Sequence, residues 1–157
     1  MKQDRFLTGI LIGIGALIVV ALAVFFTRKD TQTYLPEDAP EGVVHNYVLA
    51  VLNKDYEKAY GYLAEIENKP TFNEFRRAFL NGEVNPDNQG VDVGESEVFG
   101  DTATVEISLV HNSSDPFSTG WRDSQIAQLV KENGEWKLTL MPQYYLWGYN
   151  WYMEEVK

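Results

Sequence analysis

Chemistry in this chain has to come from a short list of side chains. The 157 residues hold no cysteine and only two histidines, His45 and His111. That removes thiol catalysis, cysteine-ligated zinc and a disulfide framework. Two histidines hold a metal only where carboxylates complete the ligand set, so neither a metal nor a cofactor is expected. His45 stands beside the apolar stripe of a helix. Its functional reading is a general base lining a pocket; its plain reading is a boundary histidine with one hydrogen bond, since the sequence names no orienting carboxylate. It is the one catalytic candidate. His111 falls at a strand end and reads as a loop residue, and Asp55 reads as the cap of a helix. Arg76 and Arg77 lie on the outer side of a helix, a cationic pair able to anchor a partner or an anion. Asn112-Ser113-Ser114 matches a glycosylation sequon, which has meaning only in a eukaryotic secretory pathway.

The densest group of recognition residues is the run from Tyr144 to Tyr152. If extended, it places Tyr145, Trp147, Tyr149 and Trp151 on one face. Such a row suits a protein partner, a glycan or a lipid headgroup region. The alternative is a last segment whose rings complete the core and cover a sheet edge.

Charge narrows the partners. Residues 31–157 carry 21 acids against 9 bases, a net of −12, whereas the first 30 residues carry four bases and two acids. An acidic domain without a basic stripe repels phosphate backbones, so nucleic acid is not an expected partner. Such charge also keeps a small domain soluble.

Phe6 to Thr27 is a run of 22 residues without an ionisable side chain. It predicts about 33 Å of helix, enough for a hydrocarbon core of about 30 Å. A cleaved signal peptide is the competing reading, because Ala21-Leu22-Ala23 resembles a small-x-small site, but Val24, Phe25 and Phe26 carry the apolar run past it. The expectation is a single-pass signal-anchor, with residues 1–5 a short tail, 6–27 the transmembrane helix, 28–37 a linker, and 38–157 an extracytoplasmic domain at the cell membrane. Gly9 and Gly13 form a small-xxx-small pair that would let two such helices pack as a homodimer.

Behind the linker the apolar period is helical. Asp38 with Glu41 has the shape of a capping box around Pro40, and Val44, Tyr47, Val48, Val51 and Leu52 recur at helical spacing over about residues 40–53. Asn53-Lys54-Asp55 breaks this helix, and Tyr56, Ala59, Tyr60 and Leu63 suggest a second short one. Thr71 and Glu74 frame a second capping box, ahead of a stripe of Phe72, Phe75 and Phe79 that ends at Asn81-Gly82. The period then becomes two. Strands are predicted over Val91–Phe99, Thr102–Leu109, Ser124–Lys131 and Glu135–Met141, the last pair joined across Asn133-Gly134, with Pro142 closing the sheet. Helices followed by an antiparallel meander mean an α+β domain with three helices packed on one sheet face.

Two stretches carry a family likeness. Residues 40–60, with Asp55-Tyr56-Glu57-Lys58-Ala59-Tyr60 opening the second helix, and Lys131–Leu138, with Gly134-Glu135-Trp136-Lys137-Leu138, resemble the nuclear-transport-factor-2-like superfamily over roughly residues 39–141. The resemblance implies a strongly curved sheet wrapped around helices as a cone, with an interior near Tyr47, Tyr60, Phe75 and Trp136. Some relatives are isomerases or dehydratases and others bind ligands or partners, and no catalytic motif of the enzymatic members maps onto this chain. Long residues 111–122 and the aromatic tail depart from a minimal member. The expected function is a membrane-tethered, non-enzymatic ligand-binding or protein-interaction module, with the cone interior or the tail as contact surface. The alternatives are a pocket enzyme using His45 and a structural subunit of a membrane complex.

Overall fold

A computed structural model describes residues 5–27, 32–87, 89–111 and 120–153. The sequon and most of the long 111–122 stretch lie outside the described residues. The chain divides into two compact units between Thr33 and Tyr34.

In the first unit Arg5–Thr27 forms one helix, α1, of 23 residues. The expected transmembrane helix is not borne out: among the described residues, no helix is long and apolar enough to cross a membrane. The single-pass anchor and the extracytoplasmic placement lose their basis with it. Described α1 side chains such as Ile12, Leu17 and Val19 are exposed, and a Cβ added at Gly9 or Gly13 would meet nothing within 4 Å.

The second unit is α+β. Helices α2 (Pro40–Leu52), α3 (Tyr56–Gly61) and α4 (Phe72–Leu80) precede strands β1 (Gln89–Phe99), β2 (Thr102–His111), β3 (Trp121–Glu132) and β4 (Glu135–Leu140). The strands form one antiparallel sheet in chain order. Gly134 and Asn133 both take positive φ in the β3–β4 turn, as the Asn-Gly pair demands. Bulges interrupt the register between Val93 and Ser96 on β1 and between Gln128 and Leu129 on β3, positions at which strands bend.

Alternation sorts the sheet into two faces. Ala103, Val105, Ile107 and Leu109 of β2 are buried with Ala127, Leu129, Trp136 and Leu138, and α2 covers them with Val43, Val44, Tyr47, Val48 and Val51. The opposite face carries Glu106, Ser124, Ile126 and Gln128 toward solvent. Leu63 bridges to Leu138, with Leu138 N–H donating to the Tyr62 carbonyl at 2.8 Å, so the segment after α3 closes the β4 edge.

Helix starts divide the two expected capping boxes. Thr71 and Glu74 form theirs, side chain to backbone in both directions. The one expected at Asp38 and Glu41 does not form. Pro40 sets the first helical residue, so Ala39 is the cap and its carbonyl accepts from Gly42 and Val43; Asp38 falls one residue too early. Buried Asn46 instead secures this end, accepting from Leu35 N–H at 2.7 Å and donating to the Leu35 carbonyl at 2.9 Å.

Candidate functional site

The expected cone interior is filled. Tyr47, Phe75 and Trp136 are core residues, and Tyr60 packs against them half-buried. Tyr47 is fully buried and donates its hydroxyl to the Leu146 carbonyl at 2.6 Å; burial pushes its ionisation well above the usual tyrosine range. Tyr60 donates to the Pro70 carbonyl at 2.9 Å under the ammonium of Lys69, with Lys69 Nζ 4.2 Å from the ring. Phenolic groups already spent on backbone carbonyls have no proton free for substrate. His45, the catalytic candidate, is half-buried on α2.

The aromatic tail is not an extended row. Tyr144–Leu146 and Tyr149–Tyr152 lie in turns, and Leu146, Trp147 and Trp151 join the core. Trp147 meets Tyr47 edge-on at 6.1 Å and stacks on Tyr152 at 5.7 Å, while Trp151 stacks on Phe75 at 4.9 Å. Tyr144 and Tyr152 take positive φ, which breaks the alternation on which a one-sided row depends. Of the four rings expected on one face, Trp147 and Trp151 are buried, Tyr145 is half-buried, and only Tyr149 is exposed, stacked on Tyr144 at 5.8 Å.

A different constellation forms where β1, β2 and β3 run past the helices. The register sets Gln89 opposite His111 and His111 opposite Trp121. These continue the core-facing parity of Leu109 and Ile107, so the three side chains form one row on that face. The indole of Trp121 lies flat on the imidazole of His111, 3.7 Å between centroids and 10° between planes, and Tyr145 approaches the imidazole edge-on at 5.8 Å. Among the described residues, His111 Nε2 and Gln89 Oε1 are both buried without a hydrogen-bond partner. Each such group costs about 1–3 kcal/mol when left unpaired. Two rows further on, half-buried Asp123 accepts from Gln125 Nε2 at 2.8 Å, so those polar groups satisfy each other.

His111 is thus a strand residue with an unfilled polar atom, not a loop residue. Sequence reasoning missed Gln89, His111, Trp121 and Asp123 because β2 and β3 extend farther toward one another than their alternation indicates. A polar residue continuing an apolar parity (His111 after Ile107 and Leu109) was the available signal.

Open depressions lie elsewhere, two of them beside charged side chains. One, of about 600 Å³, runs between α4 and the tail and mixes Lys69 and Arg77 with Glu74 and Glu83. The other, of about 550 Å³, is on the solvent face of the sheet beside Glu95, Glu97 and Glu106. Arg76 and Arg77 are exposed on α4. Among the described residues, no cluster of His, Asp and Glu suits a metal ion.

No family model matches the chain, and no curated protein matches it. Among solved structures, it is similar to a SEC-C motif containing protein from Rhodopseudomonas palustris at 15% identity and a TM-score of 0.48, covering 68% of this chain and 79% of that one. It is also similar to an uncharacterized cystatin fold protein from Novosphingobium aromaticivorans at 7% identity and a TM-score of 0.44, covering 63% of this chain and 93% of that one.

Proposed function

We propose that the chain is a non-enzymatic binding module that takes a small hydrogen-bonding ligand at the Gln89–His111–Trp121 row. The observation that carries this reading is the pair of buried, unpartnered polar atoms, His111 Nε2 and Gln89 Oε1, side by side in one cross-strand row. Native structures pair the great majority of such atoms, and a ligand is one way of completing them. The aromatic cover of Trp121 and Tyr145 supplies apolar contact next to few, placed polar groups, the usual make-up of a small-molecule site. Membership of the nuclear-transport-factor-2-like superfamily belongs to the same proposal: it associates binding with the helix-facing side of the sheet, where this row stands.

An isomerase or dehydratase would require a titratable side chain in an open interior. Tyr47, Phe75, Trp136 and Trp147 occupy that interior instead, which favours binding over catalysis. The test is a screen of small amides and alcohols against the full-length chain, read by NMR resonances of the His111 ring and Trp121 indole. Hits should shift both, and Gln89→Ala with His111→Ala should abolish them. Hits retained by the double variant would refute the assignment of the row.

A further inference from the structure

Trp121 is an unusual cover for buried polar atoms. Its ring lies face to face with His111, yet the residue is 59% exposed. Among the described residues that stack is its only ring contact, and its N–H does not pair with Gln89 Oε1. It is also the first residue of β3, so its side chain can turn away without loss of the interior ladder. The ring therefore shields the imidazole from water and leaves the hydrogen-bonding capacity beneath it unused.

A flat molecule of similar size would keep the stacking and add what the indole lacks. It would need a donor, because Gln89 Oε1 only accepts, and a group of either kind for His111 Nε2, which donates or accepts according to its tautomer. The neighbouring polar pair makes no such demand, since Asp123 and Gln125 already bind one another. Resting on the binding reading above, we propose that the Trp121 indole occupies the seat of a planar, hydrogen-bond-donating ring ligand, and that this ligand displaces the indole from His111. Trp121 is then a positioning residue that sets the affinity threshold of the site.

The test titrates full-length wild type and Trp121→Ala with benzamide, cyclohexanecarboxamide and methyl benzoate, following the His111 ring resonances. Benzamide offers both a flat ring and donors; the other two lack the ring's planarity and the donors respectively. Benzamide should bind Trp121→Ala about tenfold more tightly than wild type, as for a competent state populated about one part in ten, and more tightly than either control. Trp121→Leu, which keeps an apolar cover without a flat ring, should fall between the two proteins and guards against a folding defect in the alanine variant. Equal or weaker benzamide binding by Trp121→Ala overturns the displacement. Equal binding of cyclohexanecarboxamide overturns the planar ligand class while leaving the row a binding site. Failure of every probe to move His111 in any variant overturns the binding reading itself.

Discussion

Replacing Tyr47 by phenylalanine isolates the tie between α2 and the aromatic tail. The hydroxyl is fully buried and donates to the Leu146 carbonyl at 2.6 Å, across 99 residues of sequence. Deleting it removes one hydrogen bond, worth about 0.5–1.5 kcal/mol net, and strands a buried acceptor at about 1–3 kcal/mol. Because these describe overlapping parts of one loss, we expect a destabilisation of about 2 kcal/mol. For a cooperative unit of about 120 residues, with ~2.1 cal/mol/K per residue of unfolding entropy, this lowers Tm by about 8 °C. Urea denaturation followed by tryptophan fluorescence should show the midpoint falling at unchanged slope, and calorimetry should give the matching shift in Tm. Tyr149→Ser serves as control, since Tyr149 is exposed and should cost within about 0.5 kcal/mol. If Tyr47→Phe proves as mild as the control, the tail is not docked through this bond and the burial of Trp147 and Trp151 is in question.

Three further outcomes follow from the same packing. A Cβ at Gly148 would run into the indole of Trp151, itself held between Phe75 and Trp147; Gly148→Ala should cost about 1–3 kcal/mol by denaturant titration, and a neutral result would show that the ring can move. Thr71→Ala removes one half of the capping box on α4 and should cost about 1 kcal/mol. Because hydrogen bonds from the Thr71 backbone N–H and then its hydroxyl hold the Glu74 carboxyl below its usual range, the wild-type advantage should be full above about pH 4.3 and shrink as pH falls through the lowered value, leaving the part due to the Glu74 N–H bond to Thr71 Oγ1, which does not titrate; an advantage unchanged in acid would exclude the carboxylate from the hydroxyl's share of the cap. Burial first, with nearby carboxylates adding for three of them, raises the ionisation of Tyr47, Tyr60, Tyr62 and Tyr152. Their contribution is complete below about pH 10, where a free tyrosine ionises, and declines above it as the unfolded chain loses protons first. Phenolate absorbance should therefore rise together with unfolding, and a separate earlier phase carrying all nine tyrosines would contradict the buried placement.

Local patterns settled much of the second unit. The alternation of Ala103, Val105, Ile107 and Leu109 is a property of neighbouring residues, and it places β2 with its apolar side on α2. Thr71 with Glu74 and Asn133 with Gly134 likewise need only their own few residues to define a helix start and a hairpin turn. The apolar run of Phe6–Thr27 dictates the helix α1 by composition, but among the described residues no helix is long and apolar enough to cross a membrane. Tertiary structure decided the rest. Asp38 and Glu41 had the spacing of a cap, yet Pro40 fixed the helix start beyond Asp38 and Asn46 took over by clasping Leu35. The tail from Tyr144 to Tyr152 had the period of an exposed strand, but Tyr47 captured Leu146, and the core took in Trp147 and Trp151 because burying such rings outweighs keeping the chain extended. Gln89, His111 and Trp121 are separated along the chain by intervals with no local meaning. Only the antiparallel register sets them in one row, where distance across strands, and not distance in sequence, determines which side chains meet.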